Sequence, residues 1–438
     1  MAKTVQTPSG GLIGNEINMT LKPGYKQTEV GVIPEEWETR PCSELSERIM
    51  VGIVIRPTQY YVRHGVPAFR SANIREDGIN DFDLVYISDA SNALLAKSQT
   101  RTGDVLTVRT GYPGTSAVVR PVHAGCNCID ILITRPSRKL DSEWLAIWIN
   151  SSFGKEQVLR NQGGLAQKHF NVGDMRNLVV ALPPLPEQRA IATALSDMDA
   201  LLAALDRLIA KQRDFKQAAM QQLLTGQTRL PGFKGEWVVK PMSEVCWFQE
   251  GPGVRNTQFT VSGIKLLNGT NIFRGILNLD TTSRFISERE ARGPYAHFLA
   301  DEGDIVLASS GITVERLHEK VAFVRSQDLP FCMNTSTIRF KPSTGILAPT
   351  FLFQFLTSDR FKRMIGGVAT GSAQLNFGPS HIAKVEISVP PLPEQTAIAG
   401  VLSDMDTELA ALERRRDKTR ALKQGMMQEL LTGRTRLV

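Results

Sequence analysis

Two glycine-centred turns hold the side chains best suited to chemistry in this sequence. One is RTGYPG (109–114), with Arg109, Thr110 and Tyr112; the other is SSGITVER (309–316), with Ser309, Ser310 and Arg316. They close matching words set 200 residues apart, GDVLTVRTG (103–111) and GDIVLASSG (303–311). A second pair, AQKHF (166–170) and AQLNF (373–377), supplies Gln167, Lys168 and His169 in one copy and Gln374 and Asn376 in the other. What these groups offer is hydrogen bonding. Cationic and hydroxyl donors suit phosphate oxygens, Asn pairs with an adenine edge and Lys with a guanine edge. Glycine lets a backbone approach a ligand closely. The shared glutamines suit a common backbone or phosphate role, and the positions that differ suit base choice. Phe170 and Phe377 read as core. For each polar residue, a turn role without any ligand contact is the alternative reading.

Bond-breaking machinery is missing from the sequence. There is no N-P-P-[FY] or D-P-P-[FY] for methylating a flipped amino group, and no F-x-G-x-G for S-adenosylmethionine. No G-x-x-x-x-G-K-[ST] cradles a phosphate. The six histidines lack metal-ligand spacing, and Cys126 and Cys128 form a C-x-C with no second pair, which reads as small residues in or beside a strand rather than zinc ligands. ERLHEK (315–320) faintly resembles the E-x-K end of a nuclease site, but a charged surface turn is the better reading.

The elements that must position these turns are written twice. Residues 182–230 align with 389–437 at a constant offset of 207, with 32 identities in 49 positions. Each copy opens on PPLPEQ, where proline blocks helix before Pro186 and Pro393. Glu187 and Glu394 follow, where a helix N-terminus favours negative charge. Apolar residues then recur in steps of four and three: Ile191, Leu195, Met198, Leu202 and Leu205, and Ile398, Leu402, Met405, Leu409 and Leu412. This is coiled-coil spacing. The stripe is expected to resume at Phe215, Ala219 and Leu223, and at Leu422, Met426 and Leu430, with polar Gln212 and Thr419 between to fix register. Gly226 and Gly433 stand where a helix stop belongs. Each helix is predicted to run about 39 residues, roughly 58 Å at the rise of an α-helix. Two such stripes bury each other as an antiparallel pair.

The segments between these helices share only punctuation. Residues 46–181 and 246–388 read as strand-rich mixed structure, with β-branched runs such as VLTVRT, TSAVVRPV, CIDILITR, DIVLASS and STIRFKP separated by Gly, Asn, Asp and Pro. Helices are predicted at 141–158 and 349–365. The expected fold is α+β (mixed α/β): two similar globular domains separated by a pair of long antiparallel coiled-coil helices, a pseudo-twofold duplication. The expected divisions are a flexible leader (1–24), a first domain (25–181), a central helix (182–230), a second domain (231–388) and a C-terminal helix (389–438).

Composition fits this picture. No apolar run approaches the length of a membrane span, and the first 20 residues lack a secretion-signal core. Five cysteines, an odd number, argue against a disulfide framework and for a reducing cytoplasm. The net charge of +7 resides in the two variable segments, with 15 Lys and Arg against 11 Asp and Glu in 46–170 and 14 against 11 in 246–377. A basic surplus there fits two polyanion-binding surfaces, with solubility as the plainer alternative.

The opening YKQTEVGVIPEEWE (25–38), the doubled PPLPEQ…I…LSDMD helix and the LLTGQTRL and LLTGRTRL endings resemble the specificity subunit of type I restriction–modification systems. The resemblance spans nearly the whole chain after residue 24. It implies two target recognition domains, each reading one half of a split double-stranded DNA sequence. It also implies that the helices space those domains and bind two methyltransferase subunits, through which restriction subunits join. On this reading the chain is not itself an enzyme and holds no cofactor; S-adenosylmethionine, ATP and Mg belong to the partners. A self-sufficient nuclease and a non-catalytic protein scaffold are the competing classes.

Overall fold

A computed structural model of the chain describes residues 23–160, 169–368 and 375–437. Most of the leader expected at 1–24 lies outside them. The chain divides into two compact units, Met1–Ala204 with Arg416–Val438 and Leu205–Arg415. Both divisions fall inside the two 39-residue helices, Leu185–Leu223 and Leu392–Leu430. Each unit therefore owns the start of one long helix and the end of the other. No helix among the described residues is long and apolar enough to cross a membrane.

Within each unit one antiparallel sheet has the same strand order. In the first unit, Ser46–Val51, Ile131–Pro136, Val105–Val108 and Ser116–Val118 lie side by side. In the second the order is Cys246–Glu250, Thr337–Pro342, Ile305–Ala308 and Val321–Phe323. Val105–Val108 and Ile305–Ala308 are buried along their whole length, as their nearly continuous Val, Ile and Leu runs require. A smaller sheet beside each holds a parallel pair, Val66–Phe69 with Asn127–Cys128 and Ile264–Leu267 with Phe331–Met333. Cys126 and Cys128 are both buried, and Cys128 lies in its strand, consistent with the small-residue reading. Entry and exit of each variable segment are clasped by a two-stranded ladder, Glu38–Pro41 on Val179–Leu182 and Val238–Pro241 on Glu386–Val389.

The helices predicted at 141–158 and 349–365 each divide in two. The first becomes Ser142–Asn150 and Ser152–Arg160, the second Pro349–Leu356 and Asp359–Val368. A serine sits at each break and satisfies the loose backbone: Ser151 Oγ donates to Trp148 O at 2.6 Å, and Ser358 Oγ donates to Phe355 O at 2.6 Å. Competition of short hydroxyl side chains with the helix ladder explains why periodicity alone overran the corner.

In each unit the end of one long helix runs antiparallel to the start of the other. Lys423 pairs with Asp199 in the first unit and Lys216 with Asp406 in the second. These are equivalent pairs, each joining a late lysine to the last Asp of an SDMD word. The expected resumption of the stripe at Phe215 and Leu422 is therefore incorrect. Phe215 is 53% exposed and Leu422 58%. The four-and-three steps continue instead from Leu205 through buried Ile209 and half-buried Gln212 and Lys216 to Ala219 and Leu223. Lysine holds this place because its stem packs while its ammonium meets a carboxylate. Ile209→Ala should thus cost about 2–4 kcal/mol, while Phe215→Ala should change stability by less than about 1 kcal/mol. Denaturant unfolding of the two variants checks this, and equal losses would restore the apolar register.

Each helix start is locked by one recurring arrangement. Glu187 is fully buried; it accepts from Trp37 Nε1 at 3.1 Å and from Arg436 Nη2 at 2.9 Å. Glu394, also fully buried, accepts from Trp237 Nε1 at 3.1 Å and from Arg229 Nη2 at 2.6 Å. The glycine stops complete it. Gly433 (φ 65°) leaves room for Pro34 and Trp37, and Gly226 (φ 72°) for Trp237; an added Cβ would come within 2.4 Å of Pro34 Cγ in the first case. The adjoining glutamines tie the helix to its own variable segment: Gln188 Oε1 accepts from Asp141 N at 2.8 Å and Gln395 Oε1 from Ala348 N at 2.7 Å.

Candidate nucleic-acid interface

The two kinds of candidate turn, some 60 residues apart in the sequence, meet at one end of the main sheet in each unit. The backbone joins them identically. Phe170 N donates to Arg109 O at 3.2 Å, and Phe377 N donates to Ser309 O at 3.0 Å. Phe170 and Phe377 are buried, as core residues should be. The next position outward is a side-chain pair in both units. Thr110 Oγ1 lies 2.8 Å from His169 Nδ1, and Ser310 Oγ donates to Asn376 Oδ1 at 2.8 Å. One hydrogen-bonded frame thus presents Thr and His in the first unit and Ser and Asn in the second.

The remaining candidates separate by environment. Arg109 is engaged internally, its Nη1 on Asp130 Oδ1 and its Nε on Phe170 O at 3.3 Å. Asp130, which no sequence motif marked, has a left-handed backbone (φ 51°) and also accepts from Thr110 Oγ1 at 3.4 Å. Tyr112 projects from the turn tip, 84% exposed, next to Gly111 and Gly114 at φ 89° and 88°. These positive angles are the reason the turn needs glycine. Thr110 and Tyr112 line a cleft of about 1160 Å³ within the first unit. Arg75 of the variable segment and Arg420 of the long helix supply cationic groups to the same cleft, beside Asp77, while its lysines are paired internally, Lys155 with Glu76 and Lys423 with Asp199.

In the second unit Ser309 is buried, Ser310 is exposed, and Arg316 is exposed while donating to Glu319 Oε2 at 2.9 Å. Gly311 N also reaches Asn376 Oδ1, at 3.3 Å. Gln167, Lys168 and Gln374 lie outside the described residues. The ERLHEK segment is a 3-10 turn in which Arg316, Glu319 and Lys320 are occupied. Glu319 meets Arg274 and Arg316, and Lys320 Nζ donates to Gly269 O and Ile272 O at 3.1 and 2.8 Å. That arrangement fits the surface-turn reading. No cluster of three potential metal ligands occurs among the described residues. The assembled groups offer hydrogen-bond donors and acceptors at the surface of each frame.

The match to known proteins follows this geometry. The family model described as "Type I restriction modification DNA specificity domain" matches residues 34–211 and again 234–420. The chain belongs to that family, with one match per half. It is similar to the type I restriction enzyme MjaVIII specificity subunit of Methanocaldococcus jannaschii, at 25% identity over 92% of this chain and 94% of the relative. A putative MjaX specificity subunit of the same organism is 23% identical over 94% of this chain and 97% of its own length. Among solved structures, one from work on complex assembly and conformational transition of the type I R-M system has a TM-score of 0.59 at 19% identity, covering 92% of this chain and 99% of that one. The S subunit from M. genitalium gives 0.54 at 14% identity, over 90% and 96% of the two chains. At these identities the structural likeness speaks for the fold: two repeated domains of mixed helix and sheet with long helices. The chain is a specificity subunit of a type I restriction–modification system.

Proposed function

We propose that each unit reads one half of a split DNA target, and that the two long helices set the gap between the halves. The observation that carries this reading is the repeated frame at 109–110 with 169–170 and at 309–310 with 376–377. Its backbone bonds are the same in both units while the outward side chains differ, which is what two readers of different letters require. Hydroxyl, imidazole and carboxamide groups read base edges, and nearby cations meet phosphate. Exposed Tyr112 and the cations of the 1160 Å³ cleft are further contact candidates in the first unit. Arg109 acts there by holding Asp130 and Phe170 in place.

The chain performs recognition without catalysis and works in the cytoplasm. Two methyltransferase subunits dock on the helix pair and bring S-adenosylmethionine; the restriction subunits that join through them bring ATP and Mg. A self-sufficient nuclease is disfavoured by the internal pairing of Glu319 and Lys320. A pure scaffold is disfavoured because it gives no reason for unlike residues on a shared frame.

The test is target selection from a random DNA pool by the complex assembled with its methyltransferase subunits. The wild type should select two short sequences with an unspecified gap. Inserting one heptad into each long helix, between Leu205 and Ile209 and between Leu412 and Arg416, adds about 10 Å of helix. The gap should lengthen by roughly three base pairs at 3.4 Å per pair, with the letters unchanged. An unaltered gap rejects the spacer role.

A further inference from the structure

The second unit contains an open pocket of about 370 Å³ beside the Ser310–Asn376 pair. Glu250, Ser309, Ser310, Asn376, Gly378 and His381 are among the residues around it. Two of them are without partners among the described residues. Ser309 is only 1% exposed and its Oγ makes no hydrogen bond. Glu250 is half-buried and forms neither an ion pair nor a hydrogen bond through its carboxylate. Its Oε2 lies against the backbone at Gly378, where an added Cβ would be 3.5 Å away.

The fold fixes that carboxylate. Glu250 ends its strand opposite Ile338, and Gly251 then donates from N to Thr337 O at 3.0 Å. Gly251 is pressed so closely on Asn334 that a Cβ would fall 2.4 Å from Asn334 O. The first unit has the same strand end. Gly52 donates to Ile131 O at 2.8 Å and crowds Cys128 in the same way. The residue before it, facing Leu132 in the ladder, is Val51. The two units thus share a strand terminus and place an apolar group in one and an acid in the other.

An unpaired carboxylate is an unexpected group at a surface that meets DNA, because phosphate repels it. It fits one kind of partner there, a donor on a base edge. We propose that Glu250 is a specificity-determining residue of the second unit. It accepts a hydrogen bond from an exocyclic amino group in the major groove, cytosine N4 or adenine N6, with Ser309 as the polar floor of the cavity. This rests on the DNA-reading assignment of the same site. Burial raises the pKa of the Glu250 carboxyl.

Random-pool selection by the assembled complex tests this with Glu250→Ala and the near-isosteric Glu250→Gln. Glu250→Ala should lower the preference for C or A at one position of one half-site roughly tenfold, within the range for a base-edge contact. Every other position and the whole other half-site should stay as in the wild type, which also reports correct folding. Glu250→Gln, which can both accept and donate, should favour adenine at that position. A wild-type preference for C there identifies cytosine N4 as the donor, and a preference for A identifies adenine N6. Selected letters and preferences unchanged in both variants would overturn the proposal. Exchanging residues 246–388 for those of another family member, run in parallel, separates the failures. If the exchange rewrites a half-site and the Glu250 variants do not, only this inference falls; if the exchange rewrites nothing, the DNA-reading assignment itself falls.

Discussion

Arg436→Leu should lower the stability of the first unit by about 3 kcal/mol, the lower part of the range for stranding one member of a buried ion pair. Glu187 has no exposed surface, and Trp37 Nε1 alone cannot replace a guanidinium that grips both carboxylate oxygens. Arg436 also lies over the Trp37 ring, 5.9 Å from its centroid. Adding Glu187→Gln should restore a good part of the loss. The carboxamide keeps an acceptor for Trp37 and removes the unpaired charge. The equivalent change in the second unit, Arg229→Leu, strands Glu394 and should behave alike. Denaturant unfolding of the single and double variants measures both effects. A loss under about 1 kcal/mol, or a double variant no better than Arg436→Leu, would mean that the pair is not what locks the helix start. Because Arg436 and Arg229 follow the end of one long helix and Glu187 and Glu394 open the other, this contact also holds the antiparallel pairing in place within each unit.

Much of this arrangement was legible in the sequence because the chain wrote it twice. The two long helices, their proline starts and their glycine stops follow from 182–230 and 389–437 almost residue for residue. The β-branched runs became strands, since continuous Val and Ile are what a buried sheet demands. The reading failed where a polar residue does an apolar residue's work. Lys216 and Lys423 occupy the seam, whereas apolar periodicity points one place along, to Phe215 and Leu422. The steps from Leu205 to Leu223 contained the answer, but periodicity in hydrophobicity alone does not count a lysine. At the start of a helix, Glu187 and Glu394 have the sequence signature of charges favoured by the N-terminus. They are in fact buried acceptors whose donors lie 150 and 249 positions from Glu187 in one copy and 157 and 165 from Glu394 in the other. Trp37, Trp237, Arg229 and Arg436 recur at the repeat's own offsets, which was the available signal.

The candidate interface was legible in part for the same reason. Comparing the halves found the two turns, because what a frame preserves and what a reader varies separate within one chain. It did not reveal that Thr110 meets His169 and Ser310 meets Asn376, which only the folded sheet brings about. Nor did it reveal Asp130 or Glu250. Asp130 matters through a left-handed backbone and a partner 21 residues away. Glu250 matters because it lacks a partner among the described residues, and no spacing rule records that.

The largest expected change is in DNA preference itself. Replacing residues 46–181 with the corresponding segment of another family member should produce a protein that disregards the old target. Specific sites outcompete non-specific DNA by at least about a thousandfold, so losing one half of the target should remove most of that margin. The exchange leaves the Glu38–Pro41 strand of the clasp and the PPLPEQ start in place. The unit should therefore fold and its helices pair as before. The test is random-pool selection by the assembled complex before and after the exchange. The account predicts a target in which one half is replaced, the other half is identical and the gap is the same length. A target altered in both halves, or in neither, would contradict it.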